Sequence, residues 1–368
     1  MRILITGSNG FIGKNLVVSL KELKTYDVTE FSRNHDIEVI QSLVDKADAI
    51  FHLAGENRPS DEKDFDIVNF GLTHRICSAI KFSGRKIPLI LASSIQAEDN
   101  NPYGQSKLKA EKVSERLANE HNIPVAIFRL PNVFGKWCKP NYNSVVATFC
   151  HNIANNIPIT LNSDSRVLRL VYIDNVIEAF VNILKKKPAG LTYPKVENEY
   201  SITLADLASQ IEAFKNSRIN LISENVGHGL IRALYSTYIS YLPKPKFKYK
   251  IPNHDDDRGS FVEVLKTRKS GQFSFFTSRP GITRGNHYHH SKSEKFIVVK
   301  GEAQFHFRNI LTNEIYDISV SHKVPEVVET IPGWAHNITN TGSEDLIVML
   351  WANEIFDKKF PDTISFEV

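Results

Sequence analysis

Ile3-Leu4-Ile5-Thr6-Gly7-Ser8-Asn9-Gly10-Phe11-Ile12-Gly13 is the stretch that decides the fold. Three apolar residues make a short strand, and glycine breaks it. Phe11, Ile12, Leu16, Val17 and Leu20 then recur near helical spacing. A strand that turns through glycine straight into a helix is the entry of a βαβ unit. Gly7, Gly10 and Gly13 allow a tight turn and let the backbone approach a pyrophosphate closely. The helix N-terminus directs its amide dipoles at the same anion. The spacing is GxxGxxG rather than GxGxxG, so the glycines alone are weak evidence. Their place between a first strand and a first helix gives them weight. Asn9, Phe11 and Ile12, within the same turn, join the expected dinucleotide contacts.

Further strands are expected over 28–31, 49–54, 89–92 and 125–128, with a helix over 37–45. This alternation predicts a Rossmann-type, doubly wound parallel sheet with helices on both faces. Near residue 243 the texture changes. Leu242-Pro243-Lys244-Pro245-Lys246-Phe247-Lys248 is rich in Pro and Lys and reads as a solvated linker over 244–253. Beyond it come short β-rich runs over 261–265, 272–276, 295–299 and 346–351. Arg258-Gly259, Pro280-Gly281, Lys300-Gly301 and Pro332-Gly333 punctuate them. That pattern predicts an all-β jelly roll. The expected domains are therefore 1–243, with a substrate-binding part over 137–243, and 254–368.

Composition bounds the function. Lys and Arg number 45 against 41 Asp and Glu, a net charge of +4 over 368 residues. That is too small for a nucleic-acid coat or a polybasic membrane patch. No apolar run approaches the roughly 18 residues that span a bilayer. The three cysteines, Cys77, Cys138 and Cys150, are scattered and form no CxxC pair. A disulfide framework and a thiolate zinc site are both disfavoured. The expectation is a cytoplasmic protein without nucleic-acid or membrane partners.

The second strand runs out at Glu30-Phe31-Ser32-Arg33. Folds that prefer NAD place an acidic side chain here, on the ribose 2′-hydroxyl. Arg33 could instead pair with a 2′-phosphate, and Ser32 could donate to it. The reading is NADPH. The plain alternative is a surface arginine at a strand end.

Tyr103-Gly104-Gln105-Ser106-Lys107 is a YxxxK motif. Its i, i+4 spacing puts phenol and ammonium on one helix face. A nearby ammonium favours the phenolate, so the tyrosine could exchange a proton with a carbonyl. The strand over 89–92 leads into Ser93-Ser94, where a hydroxyl can polarise that carbonyl. YxxxK alone arises by accident on any helix. After a glycine turn and a strand-end serine pair, it reads as a hydride-transfer centre.

With these residues in view, positions 1–240 resemble the extended short-chain dehydrogenase/reductase family, many of whose members act on nucleotide sugars. Gly7, Gly10 and Gly13, His52-Leu53-Ala54-Gly55, Asn69, Ser93-Ser94, Tyr103 with Lys107, and Arg129-Leu130-Pro131-Asn132-Val133-Phe134-Gly135 carry the resemblance. It implies Tyr103 as general acid and Lys107 as its pKa-lowering, ribose-binding partner. It implies Ser94 as the carbonyl-orienting hydroxyl, with Ser93 as fallback. Leu53, Ala54, Gly55 and Asn69 become cofactor contacts, and the Asn132 loop helps close the substrate pocket. The chain departs from the family in the short loop between Ser94 and Tyr103.

The β-rich half carries a second motif set. Gly281, His287, His289, Glu294 and Gly301 fit the spacing of the first cupin motif. Pro332-Gly333-Trp334-Ala335-His336-Asn337 fits the second, apart from one missing residue after Pro332. Alternate residues of a strand share a face, so His287 and His289 could converge inside a barrel. Glu294 and His336 would complete a site for one divalent metal. Zinc is the first choice, with manganese, iron and nickel also suited. His290 is a rival ligand if the strand is bulged, and a solvated His-rich tip is the plain alternative.

Asp257-Arg258-Gly259-Ser260-Phe261-Val262-Glu263 and Arg284-Gly285-Asn286-His287-Tyr288-His289 also resemble the sugar-nucleotide epimerase and ketoisomerase branch of cupins. That resemblance implies His287 as the base, Lys295 near the enolate oxygen and Arg258 on a phosphate. A metal-bound His287 could not also be the base. Metal binding is the favoured role, leaving Tyr288 or Lys295 to move the proton.

The whole arrangement resembles a family of bifunctional enzymes of capsular polysaccharide synthesis in the UDP-N-acetyl-L-fucosamine pathway. It implies C3 epimerisation of a UDP-4-keto-6-deoxy-HexNAc by the cupin, then C4 reduction with NADPH to UDP-2-acetamido-2,6-dideoxy-L-talose. It also implies a UDP-sugar substrate, and because barrels of this kind often pair through exposed edge strands, a homodimer is expected. Two alternatives stay open: a single-activity reductase beside a structural or dimerising cupin, and a sensor that binds NADPH without turnover.

Overall fold

The first apolar run becomes β1 (Arg2–Thr6), buried in its last four residues. The computed structural model describes residues 1–59, 61–161, 165–186 and 189–368. The chain divides into two compact units, Met1–Ile211 with Gly227–Pro243, and Glu212–Val226 with Lys244–Val368.

In the first unit, α1 (Phe11–Glu22), β2 (Asp27–Phe31), α2 (Ile40–Lys46), β3 (Ala49–His52), α3 (Leu72–Phe82), β4 (Leu89–Ser94), α4 (Pro102–His121) and β5 (Val125–Leu130) follow β1 in strict alternation. Next come β6 (Asn132–Phe134), α5 (Val145–Ala154), β7 (Val167–Tyr172), α6 (Ile173–Lys186), β8 (Leu191–Thr192) and β9 (Glu199–Thr203). The main sheet is parallel, in the order β2-β1-β3-β4-β5-β8. Strand order reverses at β1, so the crevice for a ligand opens at the carboxyl ends of β1 and β3. A small sheet, β6-β7-β9, stands beside it. Leu4, Ile50, Leu89, Leu91, Val125 and Ile127 pack with Val44, Ile76, Ile80 and Leu117 in one buried cluster. These strands read as continuous apolar runs because both faces are covered.

The chain then runs through α7 (Leu204–Asn220), β10 (Ile222–Ser223) and α8 (Gly229–Ser240). The stretch expected as a solvated linker holds a 3-10 turn, Lys244–Phe247. Arg218 donates to the Lys246 carbonyl and lies 5.0 Å from the centre of the Tyr249 ring. The Pro and Lys composition gives no sign of this anchor, which comes from 28 residues upstream.

The second unit is all strand after that turn. Here β11 (His254–Asp256), β12 (Gly259–Thr267), β13 (Gly271–Ser278), β14 (Thr283–Tyr288) and β15 (Glu294–Lys300) lead to β16 (Glu302–Asn309) and β17 (Ile315–Ser321). The rest are β18 (Val327–Glu329), β19 (Trp334–Asn340), β20 (Leu346–Ala352) and β21 (Ile364–Ser365). One sheet has the order β10-β12-β13-β20-β15-β18, with β11 on β12; the other has the order β17-β16-β19-β14-β21. Phe276, Phe296, Phe305, Phe307, Ile338 and Val348 form the core of this unit. The four predicted β-rich runs are all strands, lengthened by flanking residues that join the hydrogen-bond ladders. Among the described residues, no helix is long and apolar enough to cross a membrane.

Candidate active site and metal centre

The glycine turn is a packing device as well as a cradle. Gly7 has φ +71°, and a Cβ there would stand 2.6 Å from the Ala54 nitrogen. A Cβ on Gly13 would stand 2.2 Å from the Gly7 oxygen. Side chains are excluded, so the turn lies directly against the segment leaving β3. A cavity of about 1140 Å³ opens there, lined by Gly7, Asn9 and Gly10, by Ser32 and Arg33, and by Leu53, Ala54 and Gly55. Its bare backbone suits a dinucleotide pyrophosphate. Phe11, Ile12 and Gly13 stand behind this lining rather than in it.

Arg33 donates to Glu56 Oε2 at 2.7 Å while its side chain stays 79% exposed. Glu56 also accepts from the Tyr142 hydroxyl at 2.8 Å. Ser32 Oγ is 3.2 Å from His35 Nδ1. Asn69, expected to contact the cofactor, is buried away from the cavity. It accepts from the Glu56 N–H at 2.8 Å and donates to Ser106 Oγ at 2.9 Å. Its structural work is to fix the Gly55-Glu56 backbone.

The YxxxK helix starts where its caps dictate. Asn101 Oδ1 accepts from the Gly104 N–H at 2.8 Å, and Pro102 occupies the first turn. A Cβ on Gly104 would stand 2.1 Å from the Gln96 oxygen, so the helix packs tightly under the end of β4. This brings Tyr103 within hydrogen-bonding reach of Ser94. Burial pushes the Tyr103 phenol up, and the Ser94 hydroxyl pulls the other way. Lys107 is buried, with Nζ 6.0 Å from the centre of the Tyr103 ring and 3.2 Å from the Ala92 oxygen it donates to. Burial lowers its ammonium to about 8, against the opposing pull of Glu111.

Strand alternation separates the two serines. Ser93 donates to Glu111 Oε1 at 2.5 Å, and Arg129 grips the same carboxylate at 2.6 Å. Ser94 is therefore the one brought to Tyr103. Glu111 was not singled out from the sequence, although it lies one helical turn beyond Lys107 and was legible by spacing.

The second unit gathers His287, His289, Glu294 and His336, whose ligand atoms all lie within 4.8 Å of one another. A bulge between Gly285 and His287, with Asn286 at φ +59°, re-aims β14 before the first histidine. His289 Nδ1 is 2.5 Å from the Asp362 carbonyl oxygen. A carbonyl only accepts, so Nδ1 carries a proton and Nε2 is the ring nitrogen turned to the cluster. That atom is 3.4 Å from Glu294 Oε2. His336 repeats the pattern, with Nδ1 3.4 Å from the Trp334 oxygen and a buried, unpartnered Nε2 3.7 Å from Glu294 Oε2.

Two imidazole nitrogens thus face one carboxylate oxygen, an arrangement that suits a cation. Burial opposes ionisation of Glu294, but the His289 and His336 rings beside it and the Lys292 ammonium hold its carboxyl well below the usual range. Burial, with His336 and His289 adding to it, lowers His287 to about 4, so its imidazole is neutral as a ligand must be. Three imidazoles and one carboxylate fit a divalent metal.

Three expected partners stay outside this cluster. His290 is exposed, with its ring against Tyr288 at 5.4 Å. Tyr288, one residue after His287, faces the other side of the strand, toward Phe366 at 6.0 Å. Lys295, one residue after Glu294, is exposed and pairs with Glu329 at 2.7 Å. The period-2 alternation of a strand turns both proposed proton carriers away. Lys292, which was not singled out from the sequence, is buried with Nζ 3.1 Å from Glu294 Oε1.

Residues 3–197 match the NAD dependent epimerase/dehydratase family, and residues 254–364 match the polysaccharide biosynthesis C-terminal domain. The chain belongs to the NAD dependent epimerase/dehydratase family. A UDP-2-acetamido-2,6-beta-L-arabino-hexul-4-ose reductase of Pseudomonas aeruginosa is 52% identical over 368 residues, covering 100% of this chain and 99% of that protein. The crystal structure of the capsular polysaccharide assembling protein CapF from Staphylococcus aureus superposes with a TM-score of 0.93 at 42% identity, over 100% of both chains. A UDP-glucuronic acid 4-epimerase from Bacillus cereus in complex with NAD shares the fold over 66% of this chain, with a TM-score of 0.57 at 19% identity. The family resemblance read from the glycine turn and YxxxK is borne out. So is the order of folds, an epimerase/dehydratase unit followed by an all-β unit.

Proposed function

We propose that the chain is a two-step sugar-nucleotide enzyme of capsular polysaccharide synthesis. The all-β unit inverts C3 of a UDP-4-keto-6-deoxy-HexNAc. The epimerase/dehydratase unit then reduces the C4 ketone with NADPH to UDP-2-acetamido-2,6-dideoxy-L-talose. The observation that carries the reading is the presence, in one chain, of a Ser94–Tyr103–Lys107 centre and a buried three-histidine, one-glutamate cluster. The named activity of the Pseudomonas aeruginosa relative supports the reductive half.

In the first step a ketone at C4 acidifies the proton on C3. His287, His289, Glu294 and His336 would hold a divalent metal, zinc by its donor set, which would supply polarisation of the ketone oxygen and stabilisation of the charge developing there. The C3 proton passes to solvent water on one face, its electron pair moving into the enolate, and a solvent proton adds to C3 on the other face. In the second step Ser94 orients the C4 carbonyl, and Tyr103 gives its hydroxyl proton to the carbonyl oxygen. Lys107, an ammonium held among buried groups, stabilises the phenolate that Tyr103 becomes. The bound nicotinamide supplies the hydride. Arg33 and Ser32 favour the 2′-phosphate of NADPH, and Arg33 must leave Glu56 to reach it. Reduction removes the ketone, and with it the acidity of C3, so the new configuration is fixed.

The test is incubation in deuterated solvent with a UDP-4-keto-6-deoxy-HexNAc and no NADPH. Deuterium should enter C3, and metal-stripped protein should not introduce it. Absence of exchange in the metal-loaded protein, or exchange that survives metal removal, overturns the epimerase half.

A further inference from the structure

The geometry points to the segment around Asp362, together with Lys292, as the outer support of the metal centre that presets the donor atoms of His289 and Glu294. This rests on the reading of the four-residue cluster as a metal site.

Three observations converge on the 289–292 turn. The Asp362 carbonyl oxygen receives the His289 Nδ1 proton at 2.5 Å, which fixes the tautomer and leaves Nε2 as the donor atom. The Asp362 carboxylate receives every backbone N–H of the turn after His289. Oδ1 takes His290 at 2.9 Å, and Oδ2 takes Ser291 and Lys292, each at 2.8 Å. The Ser291 hydroxyl adds a bond to Oδ2 at 3.0 Å. Just beyond Asp362, β21 pairs with the strand that bears His287, with His287 opposite Ser365 and Tyr288 opposite Ile364. The segment therefore grips the metal strand on both sides of His289. Asp362 itself sits at φ +36°, a left-handed conformation that a non-glycine residue adopts at a cost.

Lys292 completes the arrangement from the other side. Its ammonium lies 3.1 Å from Glu294 Oε1, while Oε2 faces the histidines at 3.4 and 3.7 Å. The carboxylate is thereby divided, with one oxygen tied to lysine and the other offered to the cation. Glu294 is anchored further by its N–H, which donates to Thr330 Oγ1 at 2.9 Å. Lys292 and Asp362 are positioning residues. They act through the ligands, and neither is among the four.

The test measures zinc affinity by chelator competition on the full chain, for the unmodified protein, Asp362→Asn and Lys292→Met. It also records the thermal midpoint of each protein without metal and the visible spectrum of each with cobalt(II). Asp362→Asn keeps the shape but puts an amide N–H₂ against N–H donors. Both variants should lose about 10–100-fold in affinity, the range for outer partners of metal ligands. Their metal-free midpoints should stay within a few degrees of the parent, and the cobalt spectrum should change. Lys292→Arg should restore part of the affinity. Unchanged affinity in both variants overturns the proposal. So does a loss matched by collapse of the metal-free midpoint, which would make these residues supports of the fold alone. If the unmodified protein binds no zinc or cobalt, the metal reading itself fails, a result distinct from either.

Discussion

The two chemical centres differ in how complete they are. In the first unit the polar groups around the reaction centre already have protein partners. Lys107 reaches the Ala92 carbonyl, Ser94 reaches Tyr103, and Ser93 is spent on Glu111. In the second unit the imidazole of His336 has a buried nitrogen without a partner, and two rings aim at one carboxylate oxygen. The first centre is a preorganised surface waiting for a large ligand to lie in an open crevice. The second gathers imidazole nitrogens around a carboxylate, an arrangement that suits a cation. Buried polar atoms are normally satisfied, so an orphan at the heart of a cluster says what belongs there.

That contrast can be broken at either end. The largest effect is expected for Tyr103→Phe, which removes the proton donor and nothing else from the crevice. Reduction should fall about 10²–10⁴-fold, the usual worth of a general acid. NADPH binding, followed by fluorescence titration, should survive, and so should C3 exchange. A sensor of NADPH would show no reduction to lose in the parent protein. Glu294→Gln comes next. Replacing the anion among three imidazoles should reduce zinc affinity beyond the 10–100-fold typical of an outer partner and abolish C3 exchange. Reduction of a ketone already inverted at C3 should continue at the parent rate, because the other centre is intact.

Arg33→Ala sharpens the comparison at the cofactor. Loss of a charge-assisted bond to a 2′-phosphate should reduce the kcat/KM preference for NADPH over NADH by about 10–100-fold. A parent enzyme that prefers NADH would contradict the assignment of Arg33.

The smallest effects are in pH. Burial lowers the Lys107 ammonium to about 8, so the charge supporting the Tyr103 phenolate is present below that pH and lost above it. The reductase kcat/KM should decline as pH rises through about 8, and Lys107→Arg, charged throughout, should lose that limb. His52 gives a stability counterpart. It lies buried between Thr6 and Thr73, and burial lowers it to about 3. Its folded pKa is below its unfolded value of 6.5, so the unfolded chain binds the extra proton between them. Stability of the first unit should fall as pH drops from 6.5 toward 3, and His52→Asn should flatten that dependence in thermal melts.

Much of this was legible in the sequence. Glycine spacing, the i, i+4 pair Tyr103 and Lys107, and the intervals among His287, His289, Glu294 and His336 are local or periodic, and periodicity is written in the chain. What the sequence hid is long-range. Asp362 meets the 289–292 turn from about 70 positions away, and the grip of Arg33 on Glu56 crosses 23. No spacing rule relates such residues. Lys295 and Tyr288 are a different case. Each adjoins a residue of the histidine and glutamate cluster on the same strand, and alternation alone places it on the opposite face. The signal was present, and the resemblance to a related branch outweighed it. Lys292 stayed hidden because it precedes β15, in a turn where no period applies.

The central claim is that one chain inverts and then reduces. The most direct measurement is the isotopic content of the product formed with NADPH in deuterated solvent. The account predicts a C4 alcohol inverted at C3 and carrying one solvent deuterium there. A reduced product with its original C3 hydrogen and original configuration would contradict it.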